Sequence, residues 1–246
     1  MTVTVTFVGT GDAFGSGGRN NTCFLVDAPG IRFAIDFGTT SVNALKSLGI
    51  DHNTIDAILL THLHGDHAAG VPILLLDAML GAKRQTPLTI AGPPGTGARL
   101  PAITEALFPG SSEMQPKFAF QVIDMEMLTP RQILGLNVTT YPAIHTPASF
   151  PTSIRVEVAD KRIAYTGDGA WSEHMPALAK DSDILIAECY SHSKPVPFHL
   201  NYPDIRAHRH ELATKRLILT HMGSEMLARS DEIAEECAHD ALTITL

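Results

Sequence analysis

The chain has 246 residues, of which 44% are hydrophobic, and its formal net charge is -8. These values exclude a disordered or fibrous protein and predict one globular domain spanning residues 1–246. The acidic balance disfavours long nucleic acids as partners, because binding to them requires many lysine and arginine contacts to phosphates.

The sequence gives no indication of export or of a membrane partner. It lacks an apolar run of about 18 residues or more, and its first residues alternate in polarity instead of showing a charged and then apolar signal. The three cysteines, Cys23, Cys189 and Cys237, lack the paired spacing that predicts disulfides or a thiolate metal site. We therefore expect a cytoplasmic protein.

A strand is predicted at residues 3–9, and it runs into a glycine-rich loop that continues to Gly18. The glycine spacing does not fit a dinucleotide-binding fingerprint, and the loop leads into another strand where that fingerprint requires a helix. We expect the loop to border the functional site, with Arg19 and Asn20 as candidate substrate-binding residues. A flexible hairpin connection explains the same residues equally well.

A hairpin and a helix come next. Strands at residues 23–27 and 31–36 flank Ala28-Pro29-Gly30, which is a typical turn sequence. A helix is predicted to follow, starting near Thr40. Asp36 closes the second strand, and a capping role for that helix would account for it.

The most informative stretch is His-Leu-His-Gly-Asp-His at residues 62–67, between a strand-length apolar run and an apolar stretch that predicts a buried helix. Such a density of imidazoles and carboxylate predicts a metal site on a strand-to-helix loop. Because alternate side chains of an extended segment point the same way, His62 and His64 can hold one ion. Asp66 and His67 lie beyond a glycine turn and can reach a second ion.

The rest of the chain alternates between predicted strands and helices, which fits a layered α/β domain. Helices are predicted at residues 68–76 and 96–108, and strands at residues 55–60, 87–91, 118–124, 136–143, 154–158, 162–166, 183–188, 216–220 and 241–246.

Three further candidates follow predicted strands. Taken alone, His145 is either a structural histidine or a ligand. Asp168 lies between two glycines, where a carboxylate can approach ions closely and bridge them, and an Asp-Gly turn is the alternative. His221 closes the strand at residues 216–220.

The chain resembles the metallo-β-lactamase-fold hydrolases in a series of features that follow the family's order. These are Asp36, residues 62–67, His145, Asp168 and His221. The resemblance covers nearly the whole chain. It implies an αββα four-layer sandwich of the α/β class, with the site at the shared edge of two sheets. It also implies that Asp36 orients the histidine loop through hydrogen bonds, as carboxylates near metal-bound imidazoles do.

The resemblance implies a dinuclear metal centre bridged by Asp168. The remaining ligands divide between the two ions as His62, His64 and His145 for one, and Asp66, His67 and His221 for the other. Nitrogen and oxygen ligands of this kind suit Zn²⁺ best, with Mn²⁺ and Fe²⁺ as alternatives. A hydroxide bridging the ions is then the nucleophile, which predicts hydrolysis.

Glu188 and His199 resemble a pair found in the phosphodiesterase branch of this fold, which includes ribonuclease Z-like enzymes and small-molecule phosphodiesterases. In that branch a histidine oriented by a glutamate protonates the leaving oxygen. The resemblance therefore implies that His199 is the general acid and Glu188 its partner, and we place Asp66 among the catalytic residues as well. Asn201 departs from the branch, where serine or threonine often stands. Alternatively, His199 is an exposed histidine and Glu188 merely ends a strand.

Small or cyclic phosphodiesters are the expected substrates. The tRNA-processing enzymes typically insert a long arm between the positions of His145 and Asp168, and here a hairpin already fills that interval.

A lactonase or another ester hydrolase is the alternative enzyme. A non-catalytic metal-binding relative is the alternative outside enzymes, and an iron oxygenase is disfavoured because diiron relatives tend to replace a histidine of the loop with a carboxylate. Relatives commonly dimerise, so a homodimer is a further expectation.

Overall fold

Two seven-stranded sheets form the centre of the protein, whose computed structural model describes residues 2–246 apart from the side chain of Ser112. The strands in chain order are β1 (Thr4–Gly9), β2 (Cys23–Ala28), β3 (Ile31–Ile35), β4 (Ala57–Leu59), β5 (Leu88–Gly92), β6 (Phe120–Asp124), β7 (Arg131–Ile133), β8 (Leu136–Pro142), β9 (Thr152–Val158), β10 (Lys161–Tyr165), β11 (Ile184–Glu188), β12 (Leu217–Thr220), β13 (Glu236–Cys237) and β14 (Thr243–Thr245).

The two sheets have matching topologies. The first has the order β14-β1-β2-β3-β4-β5-β6 and the second the order β13-β12-β11-β10-β9-β8-β7. In the first sheet the strands from β14 to β3 pair antiparallel, and those from β3 to β6 run parallel. In the second, β7 to β10 pair antiparallel and β10 to β13 run parallel. Each sheet thus has a parallel half whose strands all end at one edge.

Helices cover the outer face of each sheet. They are α1 (Ser41–Ser47), α2 (Gly65–Ala68), α3 (Gly70–Leu76), α4 (Thr96–Leu107), α5 (Met175–Ala179), α6 (Tyr202–His208) and α7 (Ser224–Leu227). Apolar residues of α1, α3 and α4 pack on the first sheet, and those of α5, α6 and α7 pack on the second. Within residues 2–246, none of these helices is long and apolar enough to cross a membrane. The predicted αββα four-layer sandwich is confirmed.

The alternation of side chains along each strand builds the core. Phe24 and Val26 of β2 point towards the second sheet, whereas Cys23 and Leu25 point towards the helices. Because both faces of the strand are covered, the sequence there is almost continuously apolar. Phe24 makes an edge-to-face contact with Tyr165 of the opposite sheet, with 5.0 Å between ring centroids. This contact joins the two sheets near the strand ends that carry the site.

The helix predicted at residues 68–76 is divided in the structure. The first turn is α2, and α3 begins at Gly70 because the Gly70 N–H donates to the Phe37 carbonyl, 3.0 Å away, instead of to its own helix. A side chain at Gly70 would lie only 2.1 Å from the Gly38 carbonyl oxygen, so glycine is required at this close approach. The elements predicted from the sequence do not include β7, β13, α5, α6 or α7, each of which has seven residues or fewer.

The contact between the sheets makes a testable prediction about stability. Phe24→Ala should lower the free energy of unfolding by about 3–5 kcal/mol, because it leaves a cavity in the core between the sheets. The matched control is Phe14→Ala, since the Phe14 side chain is 84% exposed, and that change should stay within about 0.5 kcal/mol. Urea unfolding of both variants provides the measurement. Equal losses in the two variants would contradict the packing described for Phe24.

Candidate metal centre

The histidine motif occupies the connection between β4 and α2. His62 and His64 lie on the extended part, where His64 has φ -72° and ψ 155° as the residue preceding α2. Asp66 and His67 lie within α2 itself, on the other side of Gly65. The change from extended chain to helical turn therefore points the two pairs in different directions, as the spacing predicts.

The first group of ligand atoms consists of three imidazole nitrogens. His62 Nε2 lies 3.2 Å from His64 Nδ1, which lies 3.1 Å from His145 Nε2. Burial, followed by the positive charge of His67, lowers the pKa of His62 well below its usual value. The His145 Nδ1–H donates to the Phe198 carbonyl at 2.7 Å, which leaves Nε2 free to accept a metal. Three imidazole nitrogens aimed at one point are a donor set that Zn²⁺ prefers.

The second group contains two carboxylates and two imidazoles. His67 Nε2 and His221 Nε2 are 3.4 Å apart, and each lies 3.2 Å from Asp66 Oδ2. Asp168 Oδ1 lies 3.2 Å from His67 Nε2, and Asp168 Oδ2 lies 3.4 Å from His221 Nε2. These four side chains come from α2 and from the loops that follow β10 and β12. The site therefore lies where the parallel halves of the two sheets meet.

Asp168 lies between the two groups, which is the position that a bridging ligand requires. Its Oδ2 is 4.0 Å from His62 Nε2 in the first group as well as 3.4 Å from His221 Nε2 in the second. Its buried Oδ1 lies 3.2 Å from His67 Nε2 without hydrogen-bond geometry, and it has no other partner among the described residues. A buried carboxylate oxygen without a donor costs free energy unless a cation is bound there. The residues present thus fit a pair of divalent ions, and Asp168 as the bridge remains our prediction.

Protons and carboxylates balance one another in the second group. Although burial opposes a charged imidazole, the carboxylates of Asp168, Asp66 and Asp36 raise the pKa of His67 well above its usual value. Likewise, despite burial, Asp168 and then Asp66 raise the pKa of His221 to about 10. Burial also opposes the charged carboxylates, but His67 lowers the pKa of Asp66 and His221 lowers that of Asp168. Such perturbed pairs are typical of functional sites.

Asp36 holds the motif in place from behind. It is fully buried, and its oxygens accept hydrogen bonds from the Thr61 N–H and hydroxyl, both at 2.7 Å. The His67 Nδ1–H donates to the same carboxylate at 2.7 Å, which leaves His67 Nε2 facing the second group. The structure therefore contradicts a capping role for Asp36 on α1, because both oxygens are engaged by the histidine loop.

His199 and Glu188 lie together beside both groups. Glu188 is fully buried at the end of β11, and its Oε1 accepts a hydrogen bond from His199 Nδ1 at 2.5 Å. The other oxygen of Glu188 accepts from the backbone N–H groups of Gly169 and Leu200, at 2.8 and 3.0 Å. The His199 ring centroid is 5.1 Å from that of His145. The structure brings the pair together as the sequence predicted, and their catalytic role remains a prediction.

Comparison with known proteins agrees with this geometry. Residues 3–238 match the family described as anti-Pycsar protein Apyc1. The chain belongs to this family. Ribonuclease Z of Mycobacterium sp. (strain KMS) is 30% identical over 196 residues, which cover 75% of this chain and 67% of that protein.

Solved structures with the same fold are similar along the whole chain. The metallo-β-lactamase fold protein YhfI from Bacillus subtilis has a TM-score of 0.78 at 18% identity and covers 100% of both chains. A diphosphatase of the PhnP family has a TM-score of 0.76 at 19% identity, covering 98% of this chain and 97% of that one. These structures show the metallo-β-lactamase fold, and the ribonuclease Z relative places the protein among the hydrolases of the ribonuclease Z-like branch. Its histidine and aspartate groups indicate divalent metal binding.

Arg19 and Asn20, the candidate substrate-binding residues, are turned towards the C-terminal segment of this family member. The Asn20 N–H and side-chain amide both donate to Asp240 Oδ2, at 2.8 and 2.9 Å. Arg19 Nη1 donates to the Ala238 carbonyl at 2.7 Å. These contacts hold the glycine-rich loop in place. The contact with Asp240 was not predictable from local sequence patterns, because Asp240 and Asn20 are 220 residues apart along the chain.

The bridging position of Asp168 makes a prediction about metal content. Asp168→Ala should lower the bound metal and abolish turnover, because it removes the only carboxylate predicted to serve both ions. Asp231→Ala is the matched control, since Asp231 is an exposed carboxylate between α7 and β13. Metal analysis by mass spectrometry and a hydrolysis assay provide the two measurements. Full metal occupancy and normal activity in Asp168→Ala would remove Asp168 from the ligand set.

Proposed function

We propose that the protein is a dinuclear metal-dependent phosphodiesterase that acts on small or cyclic phosphodiesters, with Zn²⁺ as the best-fitting cofactor. The observation that carries this proposal is the Glu188–His199 pair, which lies directly beside the predicted ligands. Glu188 and His199 also lie close enough to Asp168 and His221 to form a third group of possible ligand atoms, but Glu188 already engages His199 Nδ1 and we assign this pair to proton transfer. A metal site alone suits many hydrolyses. A separate proton donor beside it favours substrates with a poor leaving group, whose departing oxygen is strongly basic.

Seven residues of the site are the predicted metal ligands. The predicted ligands would be His62, His64 and His145 for one ion, and Asp66, His67 and His221 for the other, with Asp168 shared. Divalent ions held there supply Lewis acidity and a water molecule of lowered pKa. Although burial opposes its charge, the two imidazoles 3.2 Å from Asp66 lower the pKa of its carboxyl, which favours the ionised form that can ligate a cation.

His199 is the residue that we assign to proton donation. Although burial opposes its charge, the hydrogen bond to Glu188 raises its pKa above the usual value, which favours the protonated form that a general acid needs. Glu188 engages Nδ1, which leaves Nε2 as the nitrogen that can reach a leaving oxygen. A positioned general acid of this kind contributes roughly 10²–10⁴ in rate when the leaving group is poor.

A small substrate fits this chain better than a long nucleic acid. The interval from His145 to Asp168 holds only a short helical turn and the β9–β10 hairpin, which leaves no additional segment for gripping a large RNA. The net charge of -8 also disfavours a polyanion. We therefore extend to this protein the hydrolase chemistry of its relatives but not the substrate that the name ribonuclease Z implies.

The assignment of His199 is tested by changing the leaving group. His199→Ala should retain both ions yet lose roughly 10²-fold or more in rate on a diester with an alkoxide leaving group, because that group needs a proton. The loss should be much smaller on a diester with an activated phenol, which leaves without one. His210→Ala is the control, since that imidazole is 77% exposed. Equal losses on both diesters, or loss of metal, would shift the preference towards a lactonase or ester hydrolase.

The size of the substrate is tested separately. At physiological salt, the metal-loaded protein should cleave a small phosphodiester or a cyclic nucleotide more efficiently than intact precursor tRNA, because its surface offers few phosphate contacts. The comparison is made as kcat/KM under identical conditions. Efficient and specific 3′ cleavage of precursor tRNA would overturn this proposal.

A further inference from the structure

Tyr190 links the residue that we assign to proton donation with the loop that carries a metal-binding histidine. Its backbone N–H donates to the Leu200 carbonyl at 2.8 Å, next to His199, and its own carbonyl accepts from the Gly223 N–H at 2.9 Å. Gly223 follows His221 by two residues. The two backbone bonds place the Tyr190 ring between these segments, and the ring has no part in the metal ligation described above.

The ring itself lies against the imidazole of His199. The two ring centroids are 4.6 Å apart with an angle of 27° between the planes, which is a stacked arrangement. A side chain at Gly223 would come within 3.3 Å of the phenol Cζ. The absence of a side chain at Gly223 thus makes room for the ring. The Tyr190 ring therefore lies close to both the Gly223 backbone and the His199 imidazole.

The hydrogen bond from His199 to Glu188 does not fix the imidazole on its own. One bond at Nδ1 holds that atom 2.5 Å from Glu188 but leaves the ring plane free to swing around the contact. A flat partner on one face removes that freedom. His145 approaches His199 at 71° and 5.1 Å, and the His221 ring lies at 15° but with its centroid 6.3 Å away. Of these three neighbours, Tyr190 at 4.6 Å is the one whose ring lies both close to the imidazole and roughly parallel to it. The direction of Nε2 therefore depends on the Tyr190 ring.

We propose that Tyr190 is a positioning residue that fixes the plane of the His199 imidazole through its aromatic face, and so aims Nε2 at the leaving oxygen. This inference rests on the proposed role of His199 as general acid. It assigns the effect to the ring and not to the phenol hydroxyl. It also explains why a large aromatic residue stands two positions after Glu188, in an irregular segment.

The test compares Tyr190→Leu, which removes the aromatic face, with Tyr190→Phe, which keeps it. Tyr190→Leu should lose about 10-fold in kcat on the diester with an alkoxide leaving group and much less on the activated phenol diester, since only the former needs a positioned proton. Tyr190→Phe should behave like the unchanged protein on both. Added to His199→Ala, Tyr190→Leu should have little further effect, because both changes then act through the same group.

A second readout does not depend on activity. Stacking on an aromatic face moves the carbon-bound protons of an imidazole upfield in the NMR spectrum. The His199 signals should show this displacement in the unchanged protein and in Tyr190→Phe, and lose it in Tyr190→Leu. Bound metal should be the same in all three. If Tyr190→Leu does not fold, Tyr190→Met keeps more of the side-chain volume and carries the same test.

The outcomes separate this inference from the function on which it rests. If His199→Ala shows no dependence on the leaving group, the general-acid assignment fails and the role of Tyr190 fails with it. If His199→Ala does show the dependence but Tyr190→Leu does not, only the inference about Tyr190 is overturned. Equal losses in Tyr190→Phe and Tyr190→Leu would assign the effect to the hydroxyl and overturn it too. Loss of folding or metal in both Tyr190→Leu and Tyr190→Met would show a structural role instead.

Discussion

The arrangement of the whole site depends on one buried carboxylate, that of Asp36. It lies at the end of β3 with φ 56°, a left-handed conformation that costs a residue with a side chain roughly 1–2 kcal/mol. In return it accepts hydrogen bonds from the Thr61 N–H and hydroxyl and from the His67 imidazole. Bonds to a charged acceptor are about twice as strong as neutral ones, so together they offset the strain. The histidine loop is thereby fixed by protein atoms alone.

The second sheet repeats the arrangement around Glu188. Asp36 reaches across to the loop after β4, the parallel neighbour of β3, and Glu188 reaches across from β11 to Gly169 in the loop after its parallel neighbour β10. Each carboxylate is fully buried and accepts a hydrogen bond from an imidazole Nδ1, and Asp36 accepts one backbone N–H whereas Glu188 accepts two. In the first sheet that imidazole belongs to a predicted metal ligand, and in the second to the predicted proton donor. Matching topology therefore supports two different chemical roles.

The sequence predicts those parts of the site whose pattern lies within a few neighbouring residues. The histidine motif is contiguous, and Asp168 lies between glycines directly after a strand, so local chemistry identified both. Tyr190 and Asp240 were missed because their contacts join segments in irregular loops, where neither periodicity nor spacing gives a signal. For the same reason the sequence does not show that Arg19 and Asn20, the candidate substrate-binding residues, form hydrogen bonds with the C-terminal segment. Polarity in a loop does not indicate which partner a side chain will find.

The charge balance of the second ligand group shows what cation binding must involve. The carboxylates of Asp66 and Asp168 raise the pKa values of His67 and His221 above the usual value, because each imidazole gains a charged partner. Nitrogens that carry these protons cannot ligate a metal, so uptake of a cation must release them. The apparent metal affinity should accordingly rise with pH until the pH exceeds the pKa of His221, which is about 10. Because the hydrogen bonds that Asp36 and Glu188 accept already position the surrounding loops, cation binding here exchanges protons for metal and does not have to assemble the site.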